Sequence, residues 1–249
     1  NQKTRLRRAI ISLLLSMDQA QLNERRQWLF IALAGLFITN AVTAELISNK
    51  LIQIPLSWHF FGKQFGPFIT IIGILPWPVV FLLTDLMNEF YGQKAVRRLS
   101  WITSALIAYC FLIVGISMSI PAHEIPGSKL ATNAAYNLVF GQAQAVIVGS
   151  IVAFLVSQLL DAFLFEKIKQ RTGNKFIWLR STGSTMISQL IDSYIVLYIG
   201  FVLPGAMTLE TYFEVAPTNY ILKMLIAILL TPLIYLGHYL VRRYLNQHH

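Results

Sequence analysis

The chain alternates long apolar runs with short basic or polar joints. Six runs stand out, at roughly 28–48, 67–91, 98–120, 143–165, 181–203 and 219–241. A helix needs about 20 mostly apolar residues to cross about 30 Å of hydrocarbon, and each run supplies them. In lipid every backbone group must be satisfied within the structure, and runs this long without strand-like alternation do so as helices. The expected fold is an all-α integral membrane protein with six transmembrane helices. Pro76 and Pro78 fall inside the second run, where missing backbone donors predict a kink or break and, with it, a cavity.

Residues 1–25 follow a different pattern. Lys3, Arg5, Arg7 and Arg8 precede the apolar stretch Ala9–Met17, which stops at Asp18 and leads into Asn23–Arg26. That stretch is too short to span, and no cleavage site follows it, so a secretory signal peptide is not expected. Residues 1–25 are predicted to be a cytoplasmic basic amphipathic segment on the inner leaflet, with a disordered tail as the alternative. Residues 26–249 are expected to form the six-helix transmembrane domain. The segment 49–66 is too apolar for a solvated loop and is expected to pack over the bundle or enter the interface. Trp58 is there either as an interface anchor or as part of a lid.

Composition and charge sharpen this picture. Only 12% of residues are charged and 55% are hydrophobic, with a mean hydropathy of +0.59, against about a quarter charged in soluble domains. Sixteen of the 20 Lys and Arg residues fall before the first run, around the second and fourth joints, or after the last run. Lys50, Lys63, Lys129 and Lys223 fall on the other side. Basic residues stay cytoplasmic, so both termini are expected in the cytoplasm. Orientation and anionic lipid account for the net charge of +9, so no nucleic-acid partner is expected. The single cysteine, Cys110, lies in an apolar run, which excludes a disulfide framework.

Candidate chemistry lies where polar residues interrupt the runs, because a carboxylate at mid-bilayer costs about 2.5–3.5 kcal/mol. Asp85, Asn88 and Glu89 end the second run at i, i+3, i+4 and share a helix face. Thr185, Ser188, Gln189 and Asp192 make a similar stripe in the fifth run. Ser157-Gln158-Leu-Leu-Asp161-Ala-Phe in the fourth matches Ser188-Gln189-Leu-Ile-Asp192-Ser-Tyr in the fifth, either a short repeat or a coincidence. Amides and carboxylates on facing helices make a polar pocket, with Asn40, Thr43 and Glu45 of the first run as further supply. The alternative is structural. Ser157, Gln158 and Thr185 would then bond neighbouring helices, Asp85 and Glu89 would pair with Lys94 or Arg97, Asp161 with Lys167 or Arg180, and Asp192 with a nearby cation. His238 reads as an interface residue of the last run. Phosphate loops, dinucleotide fingerprints, metal-ligand spacings and nucleophile elbows are missing, so neither an enzyme nor a bound cofactor or metal is expected, and His123-Glu124 reads as an isolated pair.

At these motifs the sequence resembles a known family. Thr84-Asp85-x-x-Asn88-Glu89-x-Tyr91-Gly92 with Lys94, Arg97 and Arg98 behind it, Ser181-Thr182 with Ser188-Gln189-x-x-Asp192-Ser193, and Ser157-Gln158-x-x-Asp161 are similar to the hallmarks of the queuosine precursor transporters, also called the vitamin uptake transporter family. The resemblance covers about 26–243. It implies six helices folded like the substrate-binding subunits of energy-coupling-factor importers. It also implies uptake of queuosine precursors, 7-deazaguanine bases such as the 7-cyano or 7-aminomethyl form, or queuine, across a bacterial inner membrane. The alternative is a substrate-binding subunit of a multi-component vitamin importer. The substrate site expected on this reading comprises Asp85, Asn88, Glu89, Ser188, Gln189, Asp192, Asn40 and Trp77. A carboxylate would take the N1–H and 2-amino edge, an amide the adjacent carbonyl, and an aromatic such as Trp77, Phe90 or Tyr91 the ring face. The base and the bilayer are the expected partners, with a homo-oligomer left open.

The basic asymmetry predicts that a reporter fused after Asn246 lies in the cytoplasm and one inserted near Lys129 lies outside. Accessibility labelling of the two fusions checks this, and finding both on one side removes the six-span arrangement.

Overall fold

The computed structural model describes the backbone of residues 2–48, 50–55, 58–60, 63–65, 68–123, 132–173, 175–203, 205 and 207–245. The side chains of residues 1–18, Trp58 and Lys63, and the whole of Glu124, Lys129 and Asn246, on which readings above depend, lie outside what is described. In chain order the elements are α1 (Gln2–Ile47), β1 (Leu51–Ile54), β2 (Trp58–Phe60), β3 (Lys63–Phe65), β4 (Phe68–Ile71), α2 (Trp77–Tyr91), α3 (Gln93–Ser119), α4 (Asn133–Thr172), α5 (Ile177–Leu197) and α6 (Leu209–Tyr244). A 3-10 turn over Ile72–Ile74 leads into α2, and a π-helical turn over Tyr198–Val202 continues α5. Among the described residues six helices are long and apolar enough to cross a membrane. Their outward faces expose Trp101, Leu112, Leu229 and Leu240, as suits a protein whose solvent is lipid. The protein is a multi-pass membrane protein.

Three sequence expectations change in detail. The second span begins later than residue 67, because residues 68–71 form β4. Pro76 and Pro78 do not kink a helix; they open α2, with Pro76 at the cap and Pro78 in the first turn. A helix start has backbone donors to spare, so proline costs nothing there. The segment after α1, expected to pack over the bundle or enter the interface, forms two antiparallel ribbons, β1 with β4 and β2 with β3. In β1 the alternate residues Ile52 and Ile54 pack on Ile74, Leu222 and Ile226, so the ribbon does sit over the bundle. The backbone of residues 2–25 is helical and runs unbroken into the first span.

The core gathers α1, α2, α3 and α4 around Phe37, Ala41, Val80, Leu83, Met87, Ile107 and Phe154. The joint between α2 and α3 is one residue, Gly92, at φ 80° and ψ 166°, a backbone state open to glycine at little cost. It lets two spans meet at a sharp corner. There Arg26 donates to the Phe90 carbonyl at 3.2 Å, and the Tyr91 hydroxyl donates to the Arg26 carbonyl at 2.8 Å, tying α1 to the end of α2. At the far end of α4 and α5, a Cβ added at Gly149 would lie 2.7 Å from the Gly200 nitrogen. Backbone cannot yield as a flexible side chain does.

Gly149→Ala is therefore expected to cost about 1–3 kcal/mol as overpacking. Gly183→Ala, whose Cβ would find only side-chain carbons at 3.8 Å and beyond, is expected to be tolerated. Thermal unfolding of the two purified variants checks the contrast.

Candidate functional site

Polar side chains inside the spans sort into three levels. The first lies at the basic end, where the joints carrying Lys94, Arg97, Lys167, Lys169 and Arg171 meet. Glu89 on α2 is held there by three helices at once. Arg180 Nη2 of α5 lies 2.7 Å from Glu89 Oε1, Lys169 Nζ of α4 lies 3.2 Å from Oε2, and His238 Nε2 of α6 lies 3.4 Å from Oε1. Arg180 is wholly buried. Its Nη1 donates to the Gly173 carbonyl at 2.7 Å, and its guanidinium lies 5.8 Å from the Phe165 ring centre.

The second level is the middle of the bundle, and hydroxyls dominate it. Asp161 Oδ1 on α4 accepts from Ser184 at 2.9 Å and from Thr185 and Ser188 at 3.2 Å, all on α5. Asp85 on α2 accepts from Ser181 on its Oδ2. Thr84 donates to Gln158 Oε1 at 3.1 Å, and Thr182 shares a hydrogen bond with Thr231 of α6 at 3.0 Å. Asp85 and Asp161 are both buried, and hydroxyls, not cations, answer them. Several polar atoms here have no hydrogen-bond partner: Asp85 Oδ1, both amide atoms of Asn88, and Gln189 Oε1. Asn88 has no exposed surface. Buried polar atoms are nearly always bonded, so Asn88, with both amide atoms unpartnered, stands out as built for more than packing. A crevice of about 10 Å³, room for a single water, is lined by Asp85, Ser181, Thr182 and Thr185 together with apolar side chains of α2 and α6.

The third level lies toward the opposite end. Lys223 Nζ of α6 lies 2.6 Å from Asp192 Oδ2 of α5, and Ser150 of α4 donates to the buried Glu45 of α1 at 2.5 Å.

A family described as "Putative vitamin uptake transporter" matches residues 71–237, two thirds of the chain. The chain belongs to that family. It is similar to a "Probable queuosine precursor transporter" of Bacillus subtilis (28% identical over 66% of this chain and 69% of that one). It is also similar to the "Queuosine precursor transporter" of Escherichia coli (28% identical; 73% and 75% covered) and to a "Probable queuosine precursor transporter" of Haemophilus influenzae (24%; 83% and 84%). No solved structure matches. The family is one of transporters rather than enzymes.

Within this transporter the residues singled out from sequence separate. Asp85 and Ser188 fall in the middle level, and Asn88 and Gln189 are buried with unpartnered amide atoms. Glu89 does not join Gln189 at a common cavity among the described residues. Nine residues divide Gln189 from Arg180, the partner of Glu89, about 13 Å along a helix. The cations on Glu89 are Lys169 and Arg180, not Lys94 or Arg97. Asp192 has the neighbouring cation that the structural alternative required. Asn40 donates to the Leu36 carbonyl of its own helix at 2.8 Å, and Trp77 stacks on Phe81 and packs against Phe154 at the start of α2. Neither reaches the middle level. Sequence reasoning gave no functional weight to Arg180, Lys169 and His238, and little to Asp161. The signal for Arg180 was its place directly before Ser181, inside an apolar helix rather than in the joint.

Removing one partner of a buried pair costs about 3–5 kcal/mol. Arg180→Met is expected to depress yield and unfolding temperature strongly. Arg180→Met with Glu89→Gln is expected to recover part of the loss, since no bare charge is then left. Unfolding of the single and double variants measures this.

Proposed function

We propose that this transporter imports queuosine precursors, 7-deazaguanine bases, across the bacterial cytoplasmic membrane, with both termini in the cytoplasm. The names of the three relatives support the substrate class, and the gathering of basic joints at one end of the bundle supports the orientation. The observation that carries the site is Asn88, wholly buried in a span with both amide atoms unpartnered. An amide offers one donor and one acceptor side by side. That matches a deazaguanine edge, where the ring carbonyl accepts and N1–H donates. Gln189 supplies a second such group, Ser188 a hydroxyl, and the acid groups of Asp85 and Asp161 further acceptor oxygens. A pocket rich in acceptors favours the donors N1–H and the 2-amino group, and adenine has neither. Glu89, with its two cations Lys169 and Arg180 and with His238 beside them, closes the basic end and is released when the path opens there. The 10 Å³ crevice is far smaller than a bicyclic base, so the base enters only as α2, α4 and α5 separate.

Calorimetry on the purified protein tests this. A 7-cyano-7-deazaguanine is expected to bind at least about tenfold more tightly than adenine, because a buried polar group left unmet costs about 1–3 kcal/mol. Asn88→Leu is expected to lose that binding while melting no lower than the parent, since it removes unpartnered atoms from an apolar bundle. Ser157→Ala, which loses only a bond to the Phe154 carbonyl, is expected to bind normally. Full affinity in folded Asn88→Leu protein removes the assignment. Uptake by proteoliposomes holding this chain alone separates a solitary transporter from a subunit that needs an energising partner.

A further inference from the structure

At the end of the bundle opposite the basic joints, one lysine stands among two carboxylates. Glu45 of α1 is only 6% exposed. It accepts from Ser150 of α4 at 2.5 Å, and none of the ion pairs among the described residues reaches it. Asp192 of α5 holds Lys223 of α6 at 2.6 Å, and the charges of both act on Glu45. Ionisable groups inside spans mark ion and proton pathways. We propose that Glu45 is a proton-binding site, and that its proton crosses the membrane with the base. The cargo in this statement rests on the substrate reading above; the proton site itself does not.

Charge balance assigns the proton. Buried charges are paired or neutralised. Two carboxylates and one lysine balance with one proton, and Lys223 sits on Asp192, so the proton belongs to Glu45. Ser150 suits both of its states, since a hydroxyl donates to a carboxylate and accepts from a carboxyl. The other elements packed here bring no second cation. The 3-10 turn over Ile72–Ile74 has no titratable side chain and presses on α1 beside Glu45, where a Cβ added at Gly73 would lie 3.0 Å from the Ala44 carbonyl oxygen. Ile52 and Ile54 of β1 pack with Leu222 and Ile226, which flank Lys223 in α6, and Lys50 before them is exposed. The charged residues of α2 and α3, Asp85, Glu89, Lys94, Arg97 and Arg98, belong to the other two levels. With its proton on, the Glu45 cluster is neutral and this end closes. With it off, closure buries a bare carboxylate near Asp192, so the closing end takes a proton from the water on its own side. When water reaches Glu45 from the basic end instead, Lys223 Nζ bridges both carboxylates, the Glu45 O–H bond breaks and the proton passes to that water. Proton and base held in one closed state raise each other's affinity by the same factor.

The proton site is read without any substrate. Infrared difference spectra of the purified full-length protein between neutral and alkaline pH report protonated carboxyl groups through their carbonyl band. The wild type is expected to carry a component at neutral pH that Glu45→Gln lacks and that Ser150→Ala displaces in frequency. Lys223→Met, which leaves Glu45 no cation, is expected to keep the component. Asp192→Asn, which frees Lys223 for Glu45, is expected to lose it. Neutral-pH bands identical in wild type and Glu45→Gln overturn the proton site. Uptake of 7-cyano-7-deazaguanine into proteoliposomes is measured alongside, with potassium and valinomycin clamping the voltage. Making the outside more acidic by one pH unit is expected to raise accumulation by up to about tenfold, the ratio one proton carries, and a protonophore is expected to abolish the rise. Glu45→Gln is expected to lose the response to the gradient. Base movement in wild type that ignores the gradient overturns the coupling and leaves the substrate reading standing. A Glu45 carbonyl component with no base movement under any gradient sinks the substrate reading and leaves the proton site.

Discussion

Glu89 is the point on which four helices depend. A carboxylate near the end of a membrane span needs answering charge, and here Lys169 from α4, Arg180 from α5 and His238 from α6 all converge on α2. Arg180 has no exposed surface, so its charge relies on Glu89 and on the Gly173 carbonyl. Pairs of this kind add little net stability against an apolar alternative but penalise every arrangement that leaves one partner bare. The cluster fixes which faces of α4, α5 and α6 turn toward α2. The registers above it follow, with Ser181 meeting Asp85 one residue beyond Arg180.

Above that cluster, the bundle answers buried charge with hydroxyls rather than cations. Asp161 collects three from successive turns of α5. Serine and threonine donate here without bringing charge of their own, so the middle holds acid groups without cations while both ends hold salt bridges. Such a centre is selective for whatever brings donors or positive charge, and it is closed off by ion pairs at either end.

The hydrophobic pattern was enough to find the six spans, since length and hydropathy decide them almost alone. The stripes at 84–89 and 181–192 also lay where helical spacing put them. The partners could not be read. Spacing reports that Asp85, Asn88 and Glu89 share a face, but not that Glu89 ends among cations while Asp85 meets a hydroxyl. Arg180 counted as a joint residue because orientation statistics treat all basic residues near span ends alike. The prolines misled for a related reason: Pro76 and Pro78 act on α2 only through where it starts, and the ribbon before it moved that start. The ribbon was hidden because its strands of three or four residues are shorter than any periodicity that marks a strand.

The contact between Gly149 and Gly200 makes the two ends of the α4–α5 pair mechanically unlike. At the basic end, sliding one helix past the other means rupturing ion pairs. At the glycine end, backbone meets backbone, with no interdigitated rotamers to unlock, and the π-turn already departs from regular helical winding. The pair therefore touches most closely through bare backbone at one end and is fastened to α2 by charge at the other, where Lys169 and Arg180 both reach Glu89.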